Sequence, residues 1–195
     1  MKHKSRIFQR IFGFTFQWTL LTLIGFLSSL FLIEIGEKPD IGIISAIFGG
    51  FAIAIPQSFI IRQTIPPLNW ILSTIFALVI ITLTGIGTVG WFVILNNFLP
   101  MRILIGIISG AIGGLIIGIS QWLLAIPPSL PTGWQWIFIN CTAWMLSIPI
   151  GTSVGLCLHR LTNLFLSEIL GLLITWILVA IITGIGVKKI LTTAQ

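Results

Sequence analysis

The fold is decided by GIISAIFGGFAIAIPQSF, residues 42–59, and by its second occurrence GIISGAIGGLIIGISQWL, residues 106–123. In the first stretch Gly42, Ala46, Gly50, Ala54 and Ser58 recur every fourth residue. Sixty-four positions later Gly106, Gly110, Gly114, Gly118 and Trp122 do the same. Residues four apart share a helix face, so each stretch presents a groove into which another helix can come close. Gln57 and Gln121 keep the same offset near the end of each stripe. The pattern predicts a duplicated membrane helix whose stripe is a packing seam within the protein, with a docking seam for a partner as the second reading.

The rest of the chain matches that solvent. Of its 195 residues 56% are apolar and 7% charged, and the mean hydropathy is +1.14, where soluble domains carry roughly 25% charged residues. A span needs about 20 apolar residues. Six stretches qualify: Ile11 to Ile33, Ile41 to Ile61, Trp70 to Leu95, Met101 to Ala125, Trp134 to Leu158 and Leu164 to Val187. The expected fold class is all-α, a polytopic membrane bundle of six transmembrane helices forming one integral membrane domain over residues 1–195.

A net charge of +6 and a pI near 10.2 suggest nucleic acid in a soluble protein. Here the charges sit at span ends, and no groove-reading or base-stacking motif accompanies them. Lys2, Lys4, Arg6, Arg10, Arg62, Lys188 and Lys189 fall on one side of the membrane, and Lys38, Arg102 and Arg160 on the other. The positive-inside rule then puts both termini in the cytoplasm. Glu34, Glu37, Asp40 and Glu168 all land outside, which leaves a purely basic inner face that favours anionic headgroups. The first apolar run is too long for a signal-peptide core and lacks a small-residue cleavage site, so it reads as an uncleaved span. Cys141 and Cys157 are separated by roughly 24 Å of helix and do not pair. With His3 and His159 in flanking segments they make no metal cage.

The repeat reaches beyond the stripes. Ile43, Ile44 and Ser45 match Ile107, Ile108 and Ser109 at an offset of sixty-four. After a Pro-containing turn the offset becomes sixty-six, matching Trp70 to Trp136, Ala77 to Ala143 and Gly85 to Gly151. Each unit, about 41–95 and 105–158, is a helical hairpin. A striped span runs out to in, a turn holds Pro66 and Pro67 or Pro127, Pro128 and Pro131, and a Trp-initiated span runs back. Both units start on the same side, so they are tandem parallel repeats rather than inverted ones. Residues 1–33 resemble half a unit, with Gln17, Trp18 and Gly25 standing where Asn69, Trp70 and Ala77 stand. The final span, 164–187, runs in the direction of the striped helices, but its Gly171, Thr175, Val179 and Thr183 lack the full small-residue set and a Gln. The first and sixth spans are left as an open third hairpin that would close a six-helix ring.

Gln57, Gln121 and Asn140 are the candidate intramembrane polar cluster, some 9 to 12 Å from the midplane by helix rise. An unpartnered buried amide costs on the order of a few kcal/mol, so the three are expected to bond to one another, to backbone or to water. A polar clamp at the hairpin bases is the expected role, and the floor of a small ligand cavity the alternative. Trp18, Trp70, Trp122, Trp134 and Trp136 gather at the inner interface and are expected to anchor there. Pro56 and Pro149 predict kinks. Arg160 and Glu168, around the outer end of the last two spans, are expected to form a rim ion pair. No acidic residue or histidine lies in a span interior, and no nucleophile-elbow or His-Glu-x-x-His pattern occurs. No catalytic residue, metal ligand or cofactor is therefore expected, nor the ionisable relay of a proton-coupled pump.

Gly114, Gly118, Gln121 and Trp122, followed by Trp136, Ala143 and Trp144, resemble the repeat of a family of uncharacterised multi-spanning membrane proteins frequent in cyanobacteria. That repeat reads Gly-x-x-x-Gly-x-x-Gln-Trp, a short turn, then Trp and a Gly-Trp pair. The first copy departs from it with Ala54, Ser58 and Leu78. The resemblance covers most of the chain and implies no activity. In size and helix count alone the chain is also similar to the substrate-binding subunits of energy-coupling-factor vitamin transporters, though its first helix has Gly25 and Ser29 and no Ala-x-x-x-Ala motif. The expected function is that of a non-enzymatic accessory or assembly component of a membrane complex, in a plasma or thylakoid-type membrane. A small-molecule-binding or transporter-like subunit is the alternative. Expected partners are lipids, anionic ones at the cytoplasmic face, and another membrane protein or a second copy of the chain; nucleic acid is not expected.

Overall fold

The computed structural model describes residues 2–35, 42–85 and 90–193, with side chains from residue 11 onward. Among the described residues there are six α-helices: α1 Lys2–Ser29, α2 Ile43–Ile61, α3 Pro67–Thr84, α4 Leu99–Leu124, α5 Gln135–Thr162 and α6 Leu166–Thr192. Each contains a stretch long and apolar enough to cross a membrane. Local chemistry sets several of the ends. Pro67 opens α3, where its missing N–H has no helical partner to lose. Gly85 closes the same helix in the left-handed region at φ +64°, and Asn163 closes α5 there at φ 56°.

Each helix packs on the next in chain order and α6 packs on α1, so the six close into a ring. Small residues let backbones touch. A Cβ on Gly110, Gly114 or Gly118 of α4 would stand 2.5, 2.6 and 2.8 Å from Trp144 O, Asn140 O and Ile137 Cα of α5. Gly151 and Gly155 of α5 meet Gly171 of α6 in the same way, and Gly25 of α1 meets the Ala52 carbonyl of α2. On α2 the stripe is looser: Ala46 and Ala54 are buried, Gly50 lies against Ile75 of α3, and a Cβ on Gly42 would meet nothing within 4 Å among the described residues. Apolar helices gain nothing from leaving lipid for one another, so close packing of this kind must hold the bundle.

Two spans are shorter than their apolar runs predict. α1 ends at Ser29 rather than Ile33, and α3 ends at Thr84 rather than Leu95. The apolar residues beyond those ends turn inward. Ile33 after α1, and Trp91, Val93 and Ile94 in the irregular stretch 90–98 before α4, are buried in the far half of the ring. Irregular backbone at membrane depth is tolerated where protein surrounds it and satisfies its polar groups. Here the Trp176 Nε1–H donates to Gly90 O at 2.8 Å, and the Trp91 Nε1–H donates to Ser29 Oγ at 2.7 Å. Position 90 requires glycine twice over, by its φ of +100° and because a Cβ would sit 2.5 Å from the Trp176 ring. The rings of Phe26, Trp91 and Trp144 lie 5.3, 5.3 and 5.1 Å from that of Trp176, an aromatic knot filling the far half.

Arg62, Lys188 and Lys189 stand at one end of the ring, and Arg102, Arg160 and Glu168 at the other. Glu37, Lys38 and Asp40 lie outside the described residues, as do the side chains of Lys2, Lys4, Arg6 and Arg10.

Candidate functional site

Three helices rise from the Arg62 end, and each carries a tryptophan followed four residues later by a polar side chain: Trp18 and Thr22 on α1, Trp70 and Thr74 on α3, Trp136 and Asn140 on α5. At that spacing the second side chain sits one turn above the first. Each returns a hydrogen bond to its tryptophan's carbonyl, at 2.8, 2.8 and 3.1 Å. The three helices that descend carry a branched aliphatic residue and, four residues on, another polar group. These are Ile53 and Gln57 on α2, Ile117 and Gln121 on α4, and Val179 and Thr183 on α6. All twelve side chains line one central cavity of about 50 Å³, roofed by Leu78, Trp144 and Trp176.

Hydrogen bonds pass from helix to helix around this layer. The Trp70 Nε1–H donates to Gln57 Oε1 at 3.2 Å, and Gln57 Nε2 donates to Thr22 Oγ1 at 2.9 Å. One hairpin further, the Trp136 Nε1–H donates to Gln121 Oε1 and Gln121 Nε2 to Thr74 Oγ1, both at 2.8 Å. The Trp18 Nε1–H donates to Thr183 Oγ1 at 3.1 Å, so α6 receives the indole of α1 as α2 and α4 receive those of α3 and α5. There the relay stops. The Thr183 hydroxyl donates to Val179 O at 2.7 Å, and no hydrogen bond joins it to Asn140. The three indoles meet at the centre, Trp18 to Trp70 at 5.9 Å and Trp70 to Trp136 at 5.7 Å, each contact worth roughly 0.5–1.5 kcal/mol beyond its buried area.

This geometry corrects the expectation that Trp18, Trp70 and Trp136 anchor at the lipid interface. Each is 1% exposed. An indole seeks the headgroup region because its N–H needs a polar partner, and here Thr183, Gln57 and Gln121 supply that partner inside the bundle. Trp122 and Trp134, at 37% and 50% exposed, lie on the outer surface. Gln57, Gln121 and Asn140 share the cavity wall but do not bond to one another. The legible signal was the Trp-x-x-x-Thr or Trp-x-x-x-Asn spacing on three spans of like direction, which identifies these tryptophans as inward-facing.

At the opposite end the expected Arg160–Glu168 pair is also replaced. Glu168, in the first turn of α6, takes Arg102 of α4 in a two-pronged ion pair, Nη1 to Oε2 and Nη2 to Oε1, both at 2.9 Å. The two side chains are 1% and 2% exposed. Arg102 also donates through Nε to Asn96 O at 2.8 Å and through Nη1 to Thr152 O of α5 at 3.0 Å. Arg160 is exposed and donates instead to Asn97 O at 2.6 Å. Glu168 turns inward because Gly155 of α5 leaves room for it: a Cβ there would meet its Oε2 at 2.7 Å. A carboxylate therefore lies buried within a span's helix, where sequence reading had placed it on the rim. The guanidinium bonds two backbone carbonyls and both carboxylate oxygens, so the pair is a tie joining α4, α5, α6 and the inward-turning connection.

A closed ring of six membrane-length helices, each with a stretch long and apolar enough to cross a membrane, defines a polytopic integral membrane bundle. No family model, no curated protein and no solved structure matches the chain.

Proposed function

We propose that the protein is a non-enzymatic accessory or assembly component of a membrane complex, acting through its outer surface. The observation that supports this reading is the mutual commitment of the interior glutamines, the central indoles and the buried ion pair. Gln57, Gln121 and the three central indoles are hydrogen-bonded inside, and Arg102 and Glu168 hold each other. The glycine stripe of α4 is likewise spent against α5. Contact with a partner then falls to the apolar exterior, which includes Phe48, Phe51 and Phe59 on α2 and a groove of about 330 Å³ between α1 and α6, walled by Phe12, Phe16, Ile181 and Ile185. The matching bonds in the α2–α3 and α4–α5 hairpins, and the α1–α6 bond in the same place, favour three tandem hairpins with glycine zippers between helices. The charge distribution favours cytoplasmic termini, with Arg62, Lys188 and Lys189 facing anionic lipid.

The alternative of a small-molecule-binding subunit draws on the same interior. A cavity of about 50 Å³ is far below the roughly 300–1,000 Å³ of sites for drug-sized ligands, which favours the accessory role. Native mass spectrometry of the gently solubilised protein, paired with an affinity pull-down, tests the choice. Bound lipid or a membrane-protein partner is expected. A stoichiometric organic ligand that is not a lipid, or recovery of an ATPase-linked membrane subunit, would favour the binding or transport role instead.

A further inference from the structure

We propose that the central cavity is a hydration site, holding a cluster of about three waters seated on Asn140 Oδ1 in the place where the third hairpin lacks a glutamine.

The site is defined by a broken pattern. In two of three hairpins the descending helix offers a glutamine whose oxygen receives an indole N–H and whose nitrogen reaches the hydroxyl on the preceding rising helix. In the third, the register holds: Val179 and Thr183 line the cavity as Ile53 and Gln57 do, and as Ile117 and Gln121 do. The indole still finds its acceptor, since Trp18 donates to Thr183. Threonine lacks the carboxamide, however, and the second bond of the relay is not made. The group it would have served is Asn140. Its Nδ2 donates to Trp136 O, as the hydroxyls of Thr22 and Thr74 donate to their own tryptophan carbonyls. Its Oδ1 receives no hydrogen bond from the protein, although the residue is 3% exposed.

What remains to be satisfied around the cavity is one carbonyl oxygen and the second amide hydrogens of Gln57, Gln121 and Asn140. The guest must therefore donate and accept within a few ångströms, and it must be neutral because no charged group lines the wall. A water needs about 10–15 Å³ of such volume and two to four polar partners. Both conditions hold in a cavity of about 50 Å³. A buried acceptor left unpaired carries its full desolvation penalty, and water at Oδ1 removes it.

The test uses the full chain in lipid nanodiscs with asparagine side chains labelled with nitrogen-15. In the wild-type protein the Asn140 side-chain amide is expected to show a cross-relaxation peak to long-lived water. Absence of that peak, or a peak to carbon-bound protons of an organic guest in its place, would overturn the hydration site whatever any variant does. Thr183→Gln supplies the missing carboxamide. It is expected to abolish the Asn140–water peak and to raise the melting temperature by about 2–4 °C, the shift usual for one added interaction in a domain of this size. A folded Thr183→Gln protein that keeps the water peak would show that the waters do not stand in for the glutamine.

Discussion

Around Trp18, Trp70 and Trp136 the ring is held by neutral hydrogen bonds repeated from hairpin to hairpin, each between groups that a membrane interior tolerates. Fifteen to nineteen residues away along α4, α5 and α6 the charged tie is made once, by the Arg102–Glu168 pair and the inward-turning segment that Arg102 grips at Asn96. The repeated layer distributes its stabilisation over many modest bonds, averaging about 0.6 kcal/mol where such bonds have been measured in membranes. The single tie concentrates it: its two charges are tolerated only as long as each has the other. Loss of one bond should therefore be mild in the first region and severe in the second.

The largest effect is expected from Arg102→Ala or Glu168→Ala. Each leaves a buried charge uncompensated, for which roughly 3–5 kcal/mol is usual, read as lost thermal or denaturant stability in detergent. Replacing both together, Arg102→Met with Glu168→Leu, should recover most of that loss. If the double variant is as unstable as the single ones, the carbonyl bonds to Asn96 and Thr152 matter more than the ion pair.

Next in size is Gly114→Leu, expected to cost about 1–3 kcal/mol or more by overpacking, because the backbone of Asn140 blocks its first carbon. Gly50→Leu should be milder, since its Cβ meets Ile75 Cγ1 at 2.9 Å and Ile75 Cα at 3.1 Å, looser than the 2.6 Å approach at Gly114. Ile116→Leu, off the stripe, serves as the control. Equal melting temperatures for all three would show that the stripes bear no packing.

Smaller and matched effects are expected in the repeated layer. Gln57→Leu and Gln121→Leu should each lower stability by about 1 kcal/mol, and by amounts that agree. A severalfold difference between them would mean that the two hairpins, alike in their bonds, are unlike in their energetics. The least perturbing test concerns orientation. In a chain lacking Cys141 and Cys157, Gln63→Cys should resist impermeant thiol reagents applied to intact cells, and labelling from outside would invert the topology.

The helical class and the presence of six spans were legible because hydropathy is a local property of the chain. So was the α2–α3 to α4–α5 correspondence as a sequence pattern. The inward turn of Trp91, Val93 and Ile94 was not, because an apolar run reads the same whether it faces lipid or folds into a bundle. The tryptophans misled for a related reason: position along a span gives depth but not facing, and only the pairing of Trp18, Trp70 and Trp136 with the polar residue four positions on reveals the side. Arg102–Glu168 was hidden by distance. The two are sixty-six residues apart, and only the ring brings α4 and α6 together across α5.

Closure of that ring between α1 and α6 is the feature on which the shared polar layer depends, and it is also the pairing that sequence leaves open. Cysteine cross-linking addresses it most directly. The Cβ that Gly184 would carry lies 3.3 Å from Thr15 Cγ2, so the two positions face each other in direct contact between α6 and α1. In a chain with Cys141 and Cys157 replaced by serine, Thr15→Cys with Gly184→Cys should give, under mild oxidation in native membranes, a monomeric disulfide-linked species in high yield. Only unlinked chains, or only linked dimers, would contradict a closed six-helix ring.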